Sequence, residues 1–115
     1  MKKNKDASIF LKHILESIAL IEKYTKNINY DDFLEDMRSQ DAVMKRLEVI
    51  GEAVKNLPTE LREENPDIPW KKITATRDIL IHHYFGVEME VVWEIVRKDI
   101  IELKFMIESL LKRTS

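Results

Sequence analysis

The sequence predicts an all-α protein, an antiparallel bundle of four long helices with a short additional helix. Gly and Pro are scarce, with two and three residues among 115, which disfavours a turn-rich sheet protein. Apolar residues recur three and four positions apart along most of the chain, as they do on one face of a helix. Since no repeat, low-complexity tract or long linker divides the sequence, residues 1–115 are expected to form a single domain.

The first predicted helix begins near Asp6, which can act as its N-cap, and ends near Asn27. One stripe of this helix is largely apolar and should face the core: Phe10, Ile14, Ser17, Ile18, Ile21 and Tyr24. His13 lies at the edge of the stripe, and we interpret it as a packing or border residue.

A second long helix is predicted from Asp31 or Asp32 to Asn56. Its core-facing positions follow near-heptad spacing: Phe33, Met37, Met44, Leu47, Gly51 and Val54. A glycine inside a helix costs about 1 kcal/mol relative to alanine. Gly51 is therefore expected to permit the close approach of another helix.

Prolines divide the next part of the chain. Pro58 and Thr59 should open a short helix that stops before Pro66, because a residue that precedes proline is driven out of the helical conformation. Pro69 suits the first turn of the following helix, for which Gly86 is the stop signal.

The last long helix is predicted from Glu88 to Arg113. Asp99 interrupts its apolar stripe, and an acid at such a position can pair with a buried cation. Asp99 is therefore a candidate for orienting Arg77 or a histidine, with pairing to an unrelated lysine as an equal alternative.

The helix before Gly86 carries a cation, a carboxylate and imidazoles. Arg77 falls in the middle of the apolar stripe, where a guanidinium must meet a carboxylate, line a cleft or face a second subunit. Asp78 and His82 are four residues apart, so the carboxylate could bind one ring nitrogen and leave the other free. Arg77 and His82 point about 140° apart on a regular helix. Either the helix ends near Tyr84, or two copies of the chain pool these groups across a symmetric interface.

Arg77, His82 and Tyr84, in the pattern Arg-x4-His-x-Tyr, resemble the signature of HEPN-domain ribonucleases, in particular the HepT toxins of MNT-HepT toxin-antitoxin pairs. The likeness extends to other segments that recur in HepT-like proteins: Leu47–Ala53, Ile68–Trp70, Val87–Glu88 and Trp93. The resemblance thus covers most of the chain, and it implies a HEPN-like helical fold.

The resemblance also implies a function, that of a metal-independent endoribonuclease toxin. Such a protein would work as a homodimer with its cleft at the subunit interface and with Arg77 and His82 as the catalytic pair. Around this pair, three residues are supporting candidates: Asp78, His83 and Asp99. The usual partner, a minimal nucleotidyltransferase antitoxin, would transfer AMP to Tyr84, and the added anionic group would block the phosphate site.

The residue types suit RNA cleavage through the ribose 2′-hydroxyl. A base removes the hydroxyl proton, the oxygen attacks the adjacent phosphorus, and an acid protonates the departing 5′ oxygen. The unperturbed pKa of a histidine such as His82 lies near neutrality, so it can serve either role. Arg77 can stabilise the charge on phosphorus through two-pronged hydrogen bonds.

Other interpretations remain open at this level. Arg77 could be a structural ion-pair residue and Tyr84 a core aromatic. The chain could also be a non-catalytic helical docking or nucleotide-binding partner of a nucleotidyltransferase. A metal site at His82 and His83 is disfavoured, because neighbours on a helix point about 100° apart and no further ligand set accompanies them; no cofactor is expected.

Composition bears on the location of the protein, on membrane association and on the way in which RNA could bind. The chain has no cysteine, which excludes disulfides and fits a reducing cytoplasm, the expected location. No apolar run approaches the roughly 20 residues of a membrane span, so no membrane association is expected. The formal charge of −2 argues against a generally basic coat, so RNA binding should be local, through groups such as Lys71, Lys72 and Arg77.

Overall fold

The computed structural model describes residues 2–114, with side chains from Ala7 onward, and confirms an all-α bundle. The helices are α1 (Lys2–Thr25), α2 (Tyr30–Leu34), α3 (Met37–Lys55), α4 (Thr59–Glu64), α5 (Trp70–His82), α6 (Met89–Glu94) and α7 (Ile100–Thr114). A 3-10 turn, Tyr84–Gly86, follows α5, and a π-helical turn, Ile95–Asp99, joins α6 to α7 in one continuous helix. No strand occurs in this part of the chain, and no helix in it is long and apolar enough to cross a membrane.

Two predicted helix starts are wrong. The first helix already begins at Lys2, so Asp6 lies inside α1 rather than at its cap. The predicted second helix is broken into α2 and α3, because Asp36 caps α3 by accepting a hydrogen bond from the Ser39 amide at 3.2 Å. Near-heptad apolar spacing continues across this break, so local capping overrides the periodic pattern.

Helices α1, α3 and α7 enclose the core, and α2 adds Phe33 to it. The largest fully buried side chains come mainly from these helices: Phe33, Leu11, Ile14, Ile18, Ile21, Ile50, Ile107, Leu110, Val43 and Val54. Every apolar residue in this set is below 2% exposed, so the bundle has one continuous interior.

Helix α5 packs against the bundle mainly on one side. It packs along α3, and its start is anchored by Trp70, whose indole Nε1 donates to the carbonyls of Arg62 (3.1 Å) and Asn65 (3.0 Å). On its other side an open, largely apolar cavity of about 320 Å³ separates α5 from the helix that α6 and α7 form. The residues of α5 are therefore supported by α3 while much of their surface stays accessible.

Candidate active site

Helices α3 and α5 approach each other closely where Gly51 meets Arg77. A Cβ built on Gly51 would overlap the Cβ of Arg77 and lie 3.0 Å from its Cδ. The expectation that Gly51 permits a close helix approach is thus confirmed, and the side chain that it admits is Arg77. The aliphatic stem of Arg77 lies against the α3 backbone, and its guanidinium extends to the rim of the contact.

The guanidinium of Arg77 is held by two carboxylates. Its Nη2 lies 2.8 Å from Oε2 of Glu52 on α3, and its Nη1 lies 3.3 Å from Oδ1 of Asp78 on its own helix. The same Asp78 oxygen lies 3.2 Å from Nζ of Lys55. The Arg77 side chain is 21% exposed and that of Glu52 is 57% exposed, so this ion-pair network lies at a solvent-accessible edge, not in a dry interior.

The Asp78 carboxylate does not take the role expected from its spacing to His82. It binds Lys55 and Arg77, and the hydrogen bond from Lys55 is the main reason that its pKa lies below the usual value of 3.8. Within residues 2–114, His82 has no side-chain hydrogen bond to Asp78 or to any other group. Lys55 of α3 and the neighbouring Arg77 bind the carboxylate instead. Spacing along α5 could not predict this, because it does not show which group of α3 lies across from Asp78.

The end of α5 exposes the two histidines. The helix ends at His82, and His83 leaves helical geometry with φ −132° and ψ 38°. Both side chains are exposed. The next residues turn sharply, so Phe85 is fully exposed and Tyr84 is 41% exposed.

Tyr84 is tied to the start of α3. Its hydroxyl donates to Oδ1 of Asp41 at 2.5 Å. This hydrogen bond, followed by burial and the negative charges of Asp41 and Glu48, raises the pKa of Tyr84 above 10.0. The phenol is thus held in its neutral form on the same α3–α5 face that holds Arg77, and an interpretation of Tyr84 as a core aromatic is not supported.

Asp99 lies elsewhere. It belongs to the π-helical turn, and its Oδ2 is 3.0 Å from Nζ of Lys72 across the cavity beside α5. Asp99 therefore does not contact Arg77 or a histidine. The alternative prediction, an ion pair with an unrelated lysine, is confirmed. The extra residue that a π turn inserts changes the helical face of Asp99, which sequence periodicity cannot reveal.

Sequence reasoning did not single out three residues of α3: Glu52 and Asp41, which hold Arg77 and Tyr84, and Lys55, which holds Asp78. Glu52 directly follows Gly51 in a segment that carries the family resemblance. Its position next to the expected helix contact was the signal that could have identified it. No group of three His, Asp or Glu side chains that could hold a metal ion is found among the described residues.

Comparisons with known proteins identify the family of the chain. The sequence model of the ribonuclease HepT-like family matches residues 14–110. A protein of Methanocaldococcus jannaschii named "Gamma-glutamylcyclotransferase and putative RNase" is 56% identical over 108 residues, 94% of this chain but 47% of that protein. The "probable ribonuclease HepT" of Thermococcus cleftensis is 47% identical, with 90% of this chain and 94% of that protein covered. No solved structure matches the chain.

The helical bundle and these matches define the class of protein as a helical ribonuclease. The chain belongs to the ribonuclease HepT-like family. It spans about half the length of the M. jannaschii relative and nearly the whole of the T. cleftensis relative.

Proposed function

We propose that the chain is a metal-independent endoribonuclease, the toxin of a toxin-antitoxin pair, with Arg77 and His82 as its catalytic pair. The observation that carries this proposal is the state of the two side chains. Arg77 is fixed at an accessible edge of the α3–α5 contact, and His82 ends the same helix exposed and without a hydrogen-bond partner among the described residues. An immobilised cation can stabilise the charge on phosphorus, and a free imidazole can act as base or acid in cleavage through the 2′-hydroxyl.

Arg77 retains the capacity to bind phosphate. A guanidinium has five N–H donors, and its two ion pairs engage one donor on each terminal nitrogen. The remaining donors can take phosphate oxygens as charge builds on phosphorus. An unpaired His82 can accept the 2′-hydroxyl proton or donate one to the 5′ oxygen.

The position of the two residues on α5 favours a site shared by two copies of the chain. The helix is regular from Arg77 to His82, so the side chains diverge by about 140°. Around the end of α5, apolar side chains are left uncovered, with Ile79 50% exposed, Ile81 42% exposed and Phe85 fully exposed. A two-fold homodimer would cover these residues and bring a second histidine to each Arg77.

Tyr84 is proposed as the residue that a minimal nucleotidyltransferase antitoxin modifies with AMP. Its side chain is 41% exposed, and modification would release the hydroxyl from its hydrogen bond to Asp41. Attachment would place an anionic phosphodiester and an adenosine at the end of α5, where they would compete with RNA for Arg77. Cleavage should therefore be lost on modification while the bundle remains folded.

The decisive experiment is an RNA cleavage assay in the presence of a chelator, with the chemistry of the product ends determined. Wild type is expected to leave 2′,3′-cyclic phosphate ends, and Arg77→Ala or His82→Ala is expected to lower the rate at least about 100-fold, the scale of a lost acid-base or charge-stabilising group. His13→Ala is the matched control, because His13 is an exposed histidine on α1. A full rate in either site variant, or 3′-hydroxyl product ends, would contradict the proposal.

Co-expression of the two inactive variants tests the shared site. In a mixed dimer of Arg77→Ala and His82→Ala chains, one of the two centres at the interface retains an intact Arg77 opposite an intact His82. Recovery of up to about half the wild-type rate supports one histidine acting across the interface. Continued inactivity of a verified mixed dimer indicates either two histidines per centre or a site within one chain.

A second candidate, a non-catalytic docking partner of a nucleotidyltransferase, is favoured by the uncovered apolar residues of α7. Ile101 is 43% and Phe105 is 64% exposed, and they lie one turn apart. This function predicts no cleavage by purified wild type and loss of nucleotidyltransferase binding in Phe105→Ala.

A further inference from the structure

We propose that Glu52 is a positioning residue for RNA cleavage: it fixes the guanidinium of Arg77 relative to the bundle, and its own charge opposes RNA binding. This inference rests on the proposed role of Arg77. It predicts opposite effects of a Glu52 substitution on turnover and on substrate affinity.

The geometry leaves the Arg77 side chain little freedom at either end. Its stem lies against Gly51, where even a methyl group could not be placed beside it. Its head is held by Glu52 at 2.8 Å on one terminal nitrogen and by Asp78 at 3.3 Å on the other. The adjacent α3 residues Gly51 and Glu52 thus determine the depth and the orientation of the guanidinium.

Glu52, rather than Asp78, connects Arg77 to the core. Asp78 follows Arg77 on the same helix and moves with it, and its carboxylate is shared with Lys55 at 3.2 Å. Glu52 belongs to α3, whose other side is buried in the bundle, and it forms an ion pair with Arg77. Its contact is also the shorter of the two.

The same carboxylate lies beside the place where a scissile phosphate must bind. Two negative charges near one guanidinium repel, although the 57% exposure of Glu52 lets solvent weaken that repulsion. Removal of the charge should therefore strengthen RNA binding while the guanidinium loses its fixed orientation. The scissile phosphate is then bound more tightly, but the guanidinium is less well oriented to stabilise the transition state.

Steady-state kinetics of Glu52→Gln on a mixed-sequence oligoribonucleotide test the proposal. We expect kcat to fall about 10- to 100-fold, the effect of a misplaced catalytic group, and KM to fall about two- to five-fold, the effect of one nearby charge in water. The pH profile of kcat/KM should keep its shape, because Glu52 exchanges no proton. Glu63→Gln, at an exposed glutamate of α4, is the matched control and should behave as wild type.

The Arg77→Lys background separates positioning from a general structural effect. A lysine cannot make the two-pronged contact, so adding Glu52→Gln there should change kcat less than about two-fold. The proposal is overturned by an unchanged kcat, by a raised KM, by loss of one limb of the pH profile, or by an undiminished effect in the lysine background. Failure of the proposed function is distinct, because wild type itself would then not cleave RNA or Arg77→Ala would remain fully active.

Discussion

Helix α5 differs from the rest of the bundle in how its apolar residues are used. In α1, Leu11, Ile14, Ile18 and Ile21 are all inaccessible to solvent. In α5, by contrast, Trp70 and Leu80 are buried, but Ile79 and Ile81, next to the signature histidines, are half-exposed. The comparison teaches that stability is provided mainly by α1, α3 and α7, while α5 is a supported but accessible helix that carries Arg77 and His82, the proposed catalytic pair.

Matched isoleucine substitutions in α1 and α5 should give the largest difference in the free energy of unfolding. Ile18→Ala removes a fully buried side chain and should lower the free energy of unfolding by about 2–5 kcal/mol. Ile79→Ala removes a side chain that is 50% exposed and should change it by no more than about 0.5 kcal/mol in dilute protein. Urea unfolding measures both. Equal losses would show that α5 belongs to the core.

The α3–α5 contact should be disturbed even by one methyl group added at Gly51. Gly51→Ala places a methyl group in overlap with the Cβ of Arg77, so the helices must separate. Overpacking costs about 1–3 kcal/mol and the better helix propensity of alanine returns about 1, so a net loss of up to about 2 kcal/mol is expected, together with reduced cleavage.

Gly86→Ala is the control for that substitution. A Cβ on Gly86 meets nothing within 4 Å, and its φ is not positive. Thermal unfolding should show little change for this variant. If Gly51→Ala were as stable and active as wild type, the close contact would not determine the position of Arg77.

The regions that sequence predicted well are those where one physical effect dominates. Apolar spacing placed α1 and α7 because burial of one stripe outweighs every local preference there. The break before α3 was not predicted. The side chains of Asn29 and Asp36 cap α2 and α3, and their hydrogen bonds form only when the chain leaves the helical conformation between these helices. The π turn before α7 likewise leaves no trace in apolar spacing.

The candidate site was predicted to the extent that it lies on one helix. Arg77, His82 and Tyr84 follow from a local pattern, whereas their partners come from another helix. Glu52 and Asp41 are two of many carboxylates in a chain with 21 Asp and Glu residues. Which of them meets a given side chain depends on helix pairing and register, and neither is encoded by local spacing.

The smallest expected effect concerns Tyr84 and the start of α3. Asp41→Asn keeps a hydrogen-bond acceptor but removes the negative charge, so the pKa of Tyr84 should fall towards 10.0. Because the folded-state pKa is raised, the contribution of this contact to stability is complete below the unfolded-state value near 10 and is lost as pH rises through the folded-state value. Asp41→Asn should therefore make stability decline less steeply in strong alkali.

Tyrosinate absorbance during an alkaline titration measures that pKa, with the Tyr84→Phe titration subtracted to isolate one phenol. Asp67→Asn, at an exposed acid before α5, should leave the pKa of Tyr84 unchanged. An unaltered pKa in Asp41→Asn would mean that Tyr84 is not held by α3 in solution. The end of α5 would then be less firmly attached to the bundle than Arg77 is, and the contrast between core and reactive helix would be sharper still.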